Sequence, residues 1–217
     1  EIAFDKTLYK LLDDISYAIW RVKNKATTMA YDWQHFSFGY NERFGEFPKD
    51  TDLLGVGLTS DVYRNVKSLA TNVASVIVDA ASQEAVKKLL EMRSDILKGN
   101  KSVPNYRRDG SFPMKAQGIK ELKRIRSSKY TAKLSLLSKE GAKEYGTTTQ
   151  QLVTLKTGGN AKAILDRIIR GEYKMCDSEI AKVKTKYYLM LAYSHEVDEV
   201  QRDKSKVMGV DLGVVIA

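Results

Sequence analysis

Asp211 is the residue whose setting most suggests metal chemistry. The run Val207-Met208-Gly209-Val210-Asp211-Leu212-Gly213-Val214 sets one carboxylate among apolar neighbours in a strand-like pattern punctuated by glycines. A covered carboxylate is costly unless a cation compensates it. Hard divalent ions such as Mg²⁺ prefer carboxylate oxygen. The competing reading is a polar residue at a strand end, and the flanking glycines favour the metal ligand. Neither His35, His195 nor the single Cys176 clusters with other ligating residues. The histidines read as surface or packing residues, and one cysteine makes no disulfide.

The second chemical signal is charge. The chain has 36 Lys+Arg against 27 Asp+Glu, a formal net charge of +9 over 217 residues. An excess of this size favours a polyanionic partner, since a cation set against a phosphate releases condensed counterions. The excess is concentrated between Lys98 and Lys133, where only Asp109 and Glu121 are acidic. Candidate RNA-binding residues there are Arg107, Arg108, Lys123, Arg124, Arg126 and Lys129. Tyr106 is interleaved with them and is a candidate for stacking on a base. A solvated linker would have the same composition, but strand-like alternation resumes at once after the segment, which favours a folded binding surface.

The elements that would position these residues divide into two kinds. Apolar residues at helical period run from Leu8 through Leu11, Leu12, Ile15, Ile19, Val22, Ala26 and Met29 to Trp33, with Asp5 as N-cap. An aromatic and glycine-rich loop is expected from Phe36 to Pro48. Two more helices are expected, one capped around Thr59, Ser60 and Asp61, the other carrying Val73 to Leu97. Gly99 and Pro104 then stop the helix. Beyond them Tyr130, Ala132, Leu134 and Leu136 alternate with polar residues, a half-buried strand. Leu152–Lys156 predicts a second strand, and Asn160 caps a short helix reaching Gly171. Glu179–Val183 and Tyr187–Tyr193 predict a hairpin, and Val207–Ile216 a last strand.

The fold class is therefore α+β, a helical part followed by a β-rich part. No apolar stretch reaches the ~20 residues needed to span a bilayer, and acids at Asp5, Asp13 and Asp14 interrupt any signal-peptide pattern. No membrane partner and a reducing cytoplasm are expected.

Several motifs carry a family resemblance. Gly209-Val210-Asp211-Leu212-Gly213 resembles the first strand of a RuvC/RNase H-like nuclease. The upstream Lys186-Tyr187-Tyr188-Leu189-Met190-Leu191-Ala192-Tyr193 is similar to the strand preceding it in TnpB proteins and type V effectors. Ser102-Val103-Pro104-Asn105-Tyr106-Arg107-Arg108-Asp109 resembles their junction between recognition lobe and wedge domain. Asn24–Thr27, Gly45–Lys49, Leu134–Ser138 and Ile164–Ile168 are similar, in the same order, to the miniature type V-F CRISPR effectors.

This resemblance implies a helical recognition lobe over 1–99, with a remnant of a wedge strand at its start. It implies an oligonucleotide-binding-like wedge barrel over 100–204, and the start of a RuvC domain over 205–217. It implies guide RNA and double-stranded target DNA as partners, with base pairing supplying most of the specificity. An asymmetric dimer through the helical lobe is common in the family. Asp211 would be the catalytic Mg²⁺ ligand, while the remaining acids and a zinc site are expected beyond Ala217, leaving this portion inactive alone. For DNA beside a flanking motif, helix starts suit phosphates and base edges. Tyr63, Lys67, Asn72 and Ser75 are the candidates, although capping and packing explain each of them equally well. A transposon-encoded TnpB nuclease and a non-enzymatic RNA- or DNA-binding module are the alternatives.

Overall fold

The computed structural model describes residues 1–196, so the expected Asp211 strand lies outside the described residues. Helix α1 spans Lys6–Phe44, and Asp5 caps it by accepting from the Leu8 N–H at 2.8 Å. Its periodic residues Leu11, Leu12, Ile15, Ile19, Val22 and Ala26 are all buried. The helix does not stop near Trp33, which corrects the expected aromatic loop. Phe36, Tyr40 and Phe44 recur at i+4 and meet ring to ring on one helix face. Only Gly45, at φ 76°, ends the helix, its N–H bonded to the Asn41 carbonyl.

Helix α2 (Asp50–Leu54) was not expected; Asp50 fastens it by accepting from Trp33 Nε1 and the Leu58 N–H. Helix α3 (Leu58–Val66) begins directly after Gly57, ahead of the expected caps, and runs into a 3₁₀ turn over Lys67–Ala70. Helix α4 covers Ser75–Leu97, and Gly99 reverses the chain at φ 73°. Helices α3 and α4 close over α1 through Val62, Val66, Ile77, Ala81, Val86 and Leu89.

The remainder is built on strands β1 (Phe112–Met114), β2 (Ile119–Arg126) and β3 (Lys129–Ser135), helix α5 (Lys139–Glu144), β4 (Gln150–Lys156), helix α6 (Asn160–Ile169), β5 (Lys174–Met175), β6 (Ser178–Val183), β7 (Lys186–Met190) and β8 (Tyr193–Ser194). Gly159, not Asn160, occupies the N-cap of α6. The strands form antiparallel sheets in the orders β2-β3-β4 and β1-β6-β7, with β5-β8 as a two-stranded ribbon. Glu1–Ala3 joins the two larger sheets. The Ile2 N–H donates to Tyr187 O, the Ala3 N–H to Thr154 O and the Lys156 N–H to Glu1 O, at 2.7–2.8 Å.

Helices and sheets share one continuous core. Phe112, Met114, Ile180 and Tyr187 are fully buried in it, each worth about 1.5–3 kcal/mol of burial. Tyr187 also donates its hydroxyl to Asp13 of α1 at 2.7 Å. A short seam completes the junction. Val73 bridges Leu137, the Ala74 N–H donates to Leu136 O, and the Ser138 N–H donates to Asn72 O. Gly141 sits against that last carbonyl so closely that a Cβ there would lie 2.0 Å from Asn72 O.

Candidate nucleic-acid interface

Burial along β3 alternates, with Tyr130, Ala132 and Leu134 buried and Lys129, Thr131 and Lys133 directed outward. The register then fixes which residues share the outward face. Lys129 stands between Arg126 of β2 and Lys156 of β4, Thr131 between Lys123 and Thr154, and Lys133 between Lys120 and Leu152. Directly opposed side chains lie about 5 Å apart. Six cations from three strands are thereby gathered on one exposed face of the sheet.

Two irregularities in β2, between Lys120 and Lys123 and between Arg124 and Arg126, keep these cations on the same side. Glu121 lies within the first, at φ 49°. Its carboxylate accepts from Lys133 at 2.6 Å and lies 3.8 Å from Lys123. The Lys133 hydrogen bond holds its pKa below the ordinary value. Arg126, Lys129 and Lys156 form no side-chain ion pair among the described residues.

Arg124 belongs elsewhere. It opposes buried Tyr130 and reaches Asp166 of α6 at 3.1 Å, while the Tyr130 hydroxyl donates to the same carboxylate at 2.7 Å. Burial, reinforced by Asp166, pushes the Tyr130 phenol up to about 12. Arg124 thus fastens α6 to the sheet. It is not part of the outward cluster expected from sequence.

Tyr106 also departs from its expected role. Its backbone is bonded to Trp20 and Asn24 of α1, and the ammonium groups of Lys23 and Lys88 lie within 5.4 Å of its ring centre. Burial, with the Glu84 carboxylate adding to it, raises its phenol to about 12. The ring docks the segment onto the helices, so it is not free to stack on a base. Arg107 and Arg108 remain exposed just beyond it.

Of the DNA candidates, Tyr63, Lys67 and Ser75 line one groove of about 720 Å³, together with Ser138, Lys139 and Thr149. Half-buried Asn72 lies outside that lining, its carbonyl taken by Ser138. Sequence reasoning missed Lys120, Lys133 and Lys156 on the sheet. The signal was present in the strand alternation of Lys129, Thr131 and Lys133, which predicts a common face. Among the described residues no three His, Cys, Asp or Glu side chains converge as a metal set, and no helix is long and apolar enough to cross a membrane.

No family model matches the chain. The CRISPR-associated endodeoxyribonuclease Cas12f1 of Sulfoacidibacillus thermotolerans is 32% identical over 217 residues, which is 99% of this chain and 50% of that protein. A solved chain from a cryo-EM structure of a CRISPR-Cas12f ternary complex superposes with a TM-score of 0.55 at 12% identity, over 92% of this chain and 46% of its own length. The chain is similar to Cas12f1 in sequence and to the Cas12f chain in fold. The type V-F resemblance and the α+β architecture read from its residues are both borne out. The chain spans about half the length of the curated relative it matches. At 12% identity the structural likeness speaks for the fold alone.

Proposed function

We propose that this chain is the nucleic-acid-gripping part of an RNA-guided DNA endonuclease of the CRISPR type V-F kind. The observation that carries the reading is the outward face of the β2-β3-β4 sheet, with Lys120, Lys123, Arg126, Lys129, Lys133 and Lys156 against the one acid of its strands, Glu121. Its partner is the guide RNA, held through phosphates. Contacts to phosphate position a nucleic acid and carry no sequence information, which suits a protein whose guide does the reading. Target double-stranded DNA takes the groove lined by Tyr63, Lys67 and Ser75. Pairing of two copies through the helical part belongs to the same proposal, and the exposed rings of Phe36, Phe44 and Phe47 support it.

In this reading Asp211 is a ligand for catalytic Mg²⁺ in the complete protein, a hard cation suited to a carboxylate donor. In the complete protein Asp211→Ala should abolish cleavage of guide-matched DNA while guide binding persists. Substantial cleavage by that variant would remove Asp211 from the catalytic set.

The sheet face is tested by salt dependence. Replacing Lys123, Arg126, Lys129 and Lys156 with alanine should reduce the slope of log affinity for guide RNA against log salt by about 3, since each phosphate contact contributes roughly 0.7–0.9. An unchanged slope and affinity would show that RNA binds elsewhere.

A further inference from the structure

Tyr17, Trp20 and Asn24 lie on one face of α1, spaced i, i+3 and i+7, and the segment after Pro104 is fastened along that face. Trp20 Nε1 donates to the Tyr106 carbonyl at 2.8 Å, and the Tyr106 N–H donates to Asn24 Oδ1 at 2.9 Å. Both backbone groups of Tyr106 are therefore held by the helix. The chain then turns, with the Gly110 N–H bonded to the Arg107 carbonyl at 3.1 Å. This turn lays the Arg108 guanidinium over the Tyr17 ring, 4.5 Å from its centroid. Tyr17 in turn stacks on Trp20, with ring centroids 5.5 Å apart and planes at 29°.

Tyr17 thus meets both an indole and a guanidinium, bringing three flat groups together beside the helix. Arg108 is exposed, and Tyr17 is 39% exposed. Arg107 beside it is 85% exposed and, among the described residues, paired only with exposed Asp109 at 3.5 Å.

We propose that this cluster is a binding site for one unpaired nucleobase, which stacks on the exposed guanidinium of Arg108 while its phosphate meets Arg107. Guanidinium planes stack on splayed-out bases. Attraction to the Tyr17 ring holds the guanidinium in place beforehand, so less ordering is left to occur on binding. The cation beside the plane complements a phosphate. A base within a duplex has both faces occupied by its neighbours and cannot enter. The proposal rests on the nucleic-acid reading above but concerns a different surface, a different force and two residues, Tyr17 and Trp20, outside the basic segment.

The test uses the full chain with short unstructured RNA and DNA oligomers and a long blunt duplex, followed by fluorescence anisotropy across a salt series. Arg108→Lys keeps the charge and removes the plane; Tyr17→Leu keeps an apolar side chain and removes the ring. Both should weaken single-strand binding by about 5- to 100-fold, the range expected for one stacked base, with an unchanged salt slope and little effect on the duplex. Loss with RNA alone assigns the base to the guide, and loss with DNA alone to a DNA strand; either supports the site. Wild-type affinity in either variant overturns the stack, as does an equal loss with duplex. If the sheet-face variant still weakens RNA binding, the broader reading survives that failure. Absence of binding by the unmodified chain to every nucleic acid would overturn the broader reading itself.

Discussion

On the outer side of the β2-β3-β4 sheet, Arg126, Lys129 and Lys156 face solvent without an ion pair among the described residues. On its inner side Arg124, two residues from Arg126, is tied to Asp166 beside the buried Tyr130 hydroxyl. The composition of the two places is alike, and their roles are opposite. One irregularity in the ladder between Arg124 and Arg126 separates a residue that holds the protein together from one available to a partner. Charge counting along the sequence cannot distinguish them, because the distinction is made by register and by a helix contributed from about forty residues later.

Substitutions can break this comparison, and the largest stability effect is expected at the seam. Gly141→Ala forces a Cβ onto the Asn72 carbonyl, and relieving such overpacking costs about 1–3 kcal/mol. Denaturant melts should show it, with no direct loss of an RNA-facing cation. Asp166→Ala comes next. It strips Arg124 and Tyr130 of their shared carboxylate, a loss of about 1–2 kcal/mol, since the Lys162 carbonyl remains near the phenol at 3.4 Å. If Asp166→Ala left stability unchanged, the inner side would not be the holding side.

An alkaline titration sharpens the same contrast. Tyr106, Tyr130 and Tyr145 have phenols raised to about 12, first of all by burial. Between their ordinary pKa near 10 and about 12 the unfolded chain loses these protons while the folded chain keeps them. The folded state therefore binds more protons, and stability must fall as pH rises through that window. Thermal melts of the unmodified chain should follow this course, and Tyr130→Phe should make the decline shallower. The smallest stability effect belongs to the outer face. Arg126→Ala should change stability by less than about 0.5 kcal/mol, yet lower the RNA salt slope by about 0.7–0.9. A matching slope change in Arg124→Ala would erase the difference between the two sides.

Much of the architecture was legible where one face of an element is apolar. The Asp5 cap, the strand around Tyr130–Leu134, Leu152–Lys156 and the hairpin at Lys184–Lys186 all follow from local pattern. Strand β2 was hidden because it offers little apolar alternation; its irregularities break the period, and Ile125 is 56% exposed. The second half of α1 was hidden for a different reason. Glycine and aromatics suggested a loop, but an i+4 aromatic series is also a helical pattern, and Gly39 is tolerated within it. As to the candidate site, the basic segment was visible, but its division was not. Tyr106 is committed to α1 by hydrogen bonds spanning more than eighty residues, and no local pattern reports such a partner. The same contact supplied Tyr17 and Trp20, whose helical spacing alone reads as ordinary packing.

The pairing of Ile2 with Leu155 and Tyr187 bears on how the chain is made. At ordinary translation speeds of 5–20 residues per second, the residues that accept Ile2 emerge roughly 10–40 s after it. Helices α1, α3 and α4 are all synthesised within Lys6–Leu97 and can meet long before then. During that interval the backbone of Glu1–Ala3 has neither of its sheet partners. The three helices are therefore complete in the nascent chain before Glu1–Ala3 can be locked, which happens only when Tyr187 arrives to receive the Ile2 N–H.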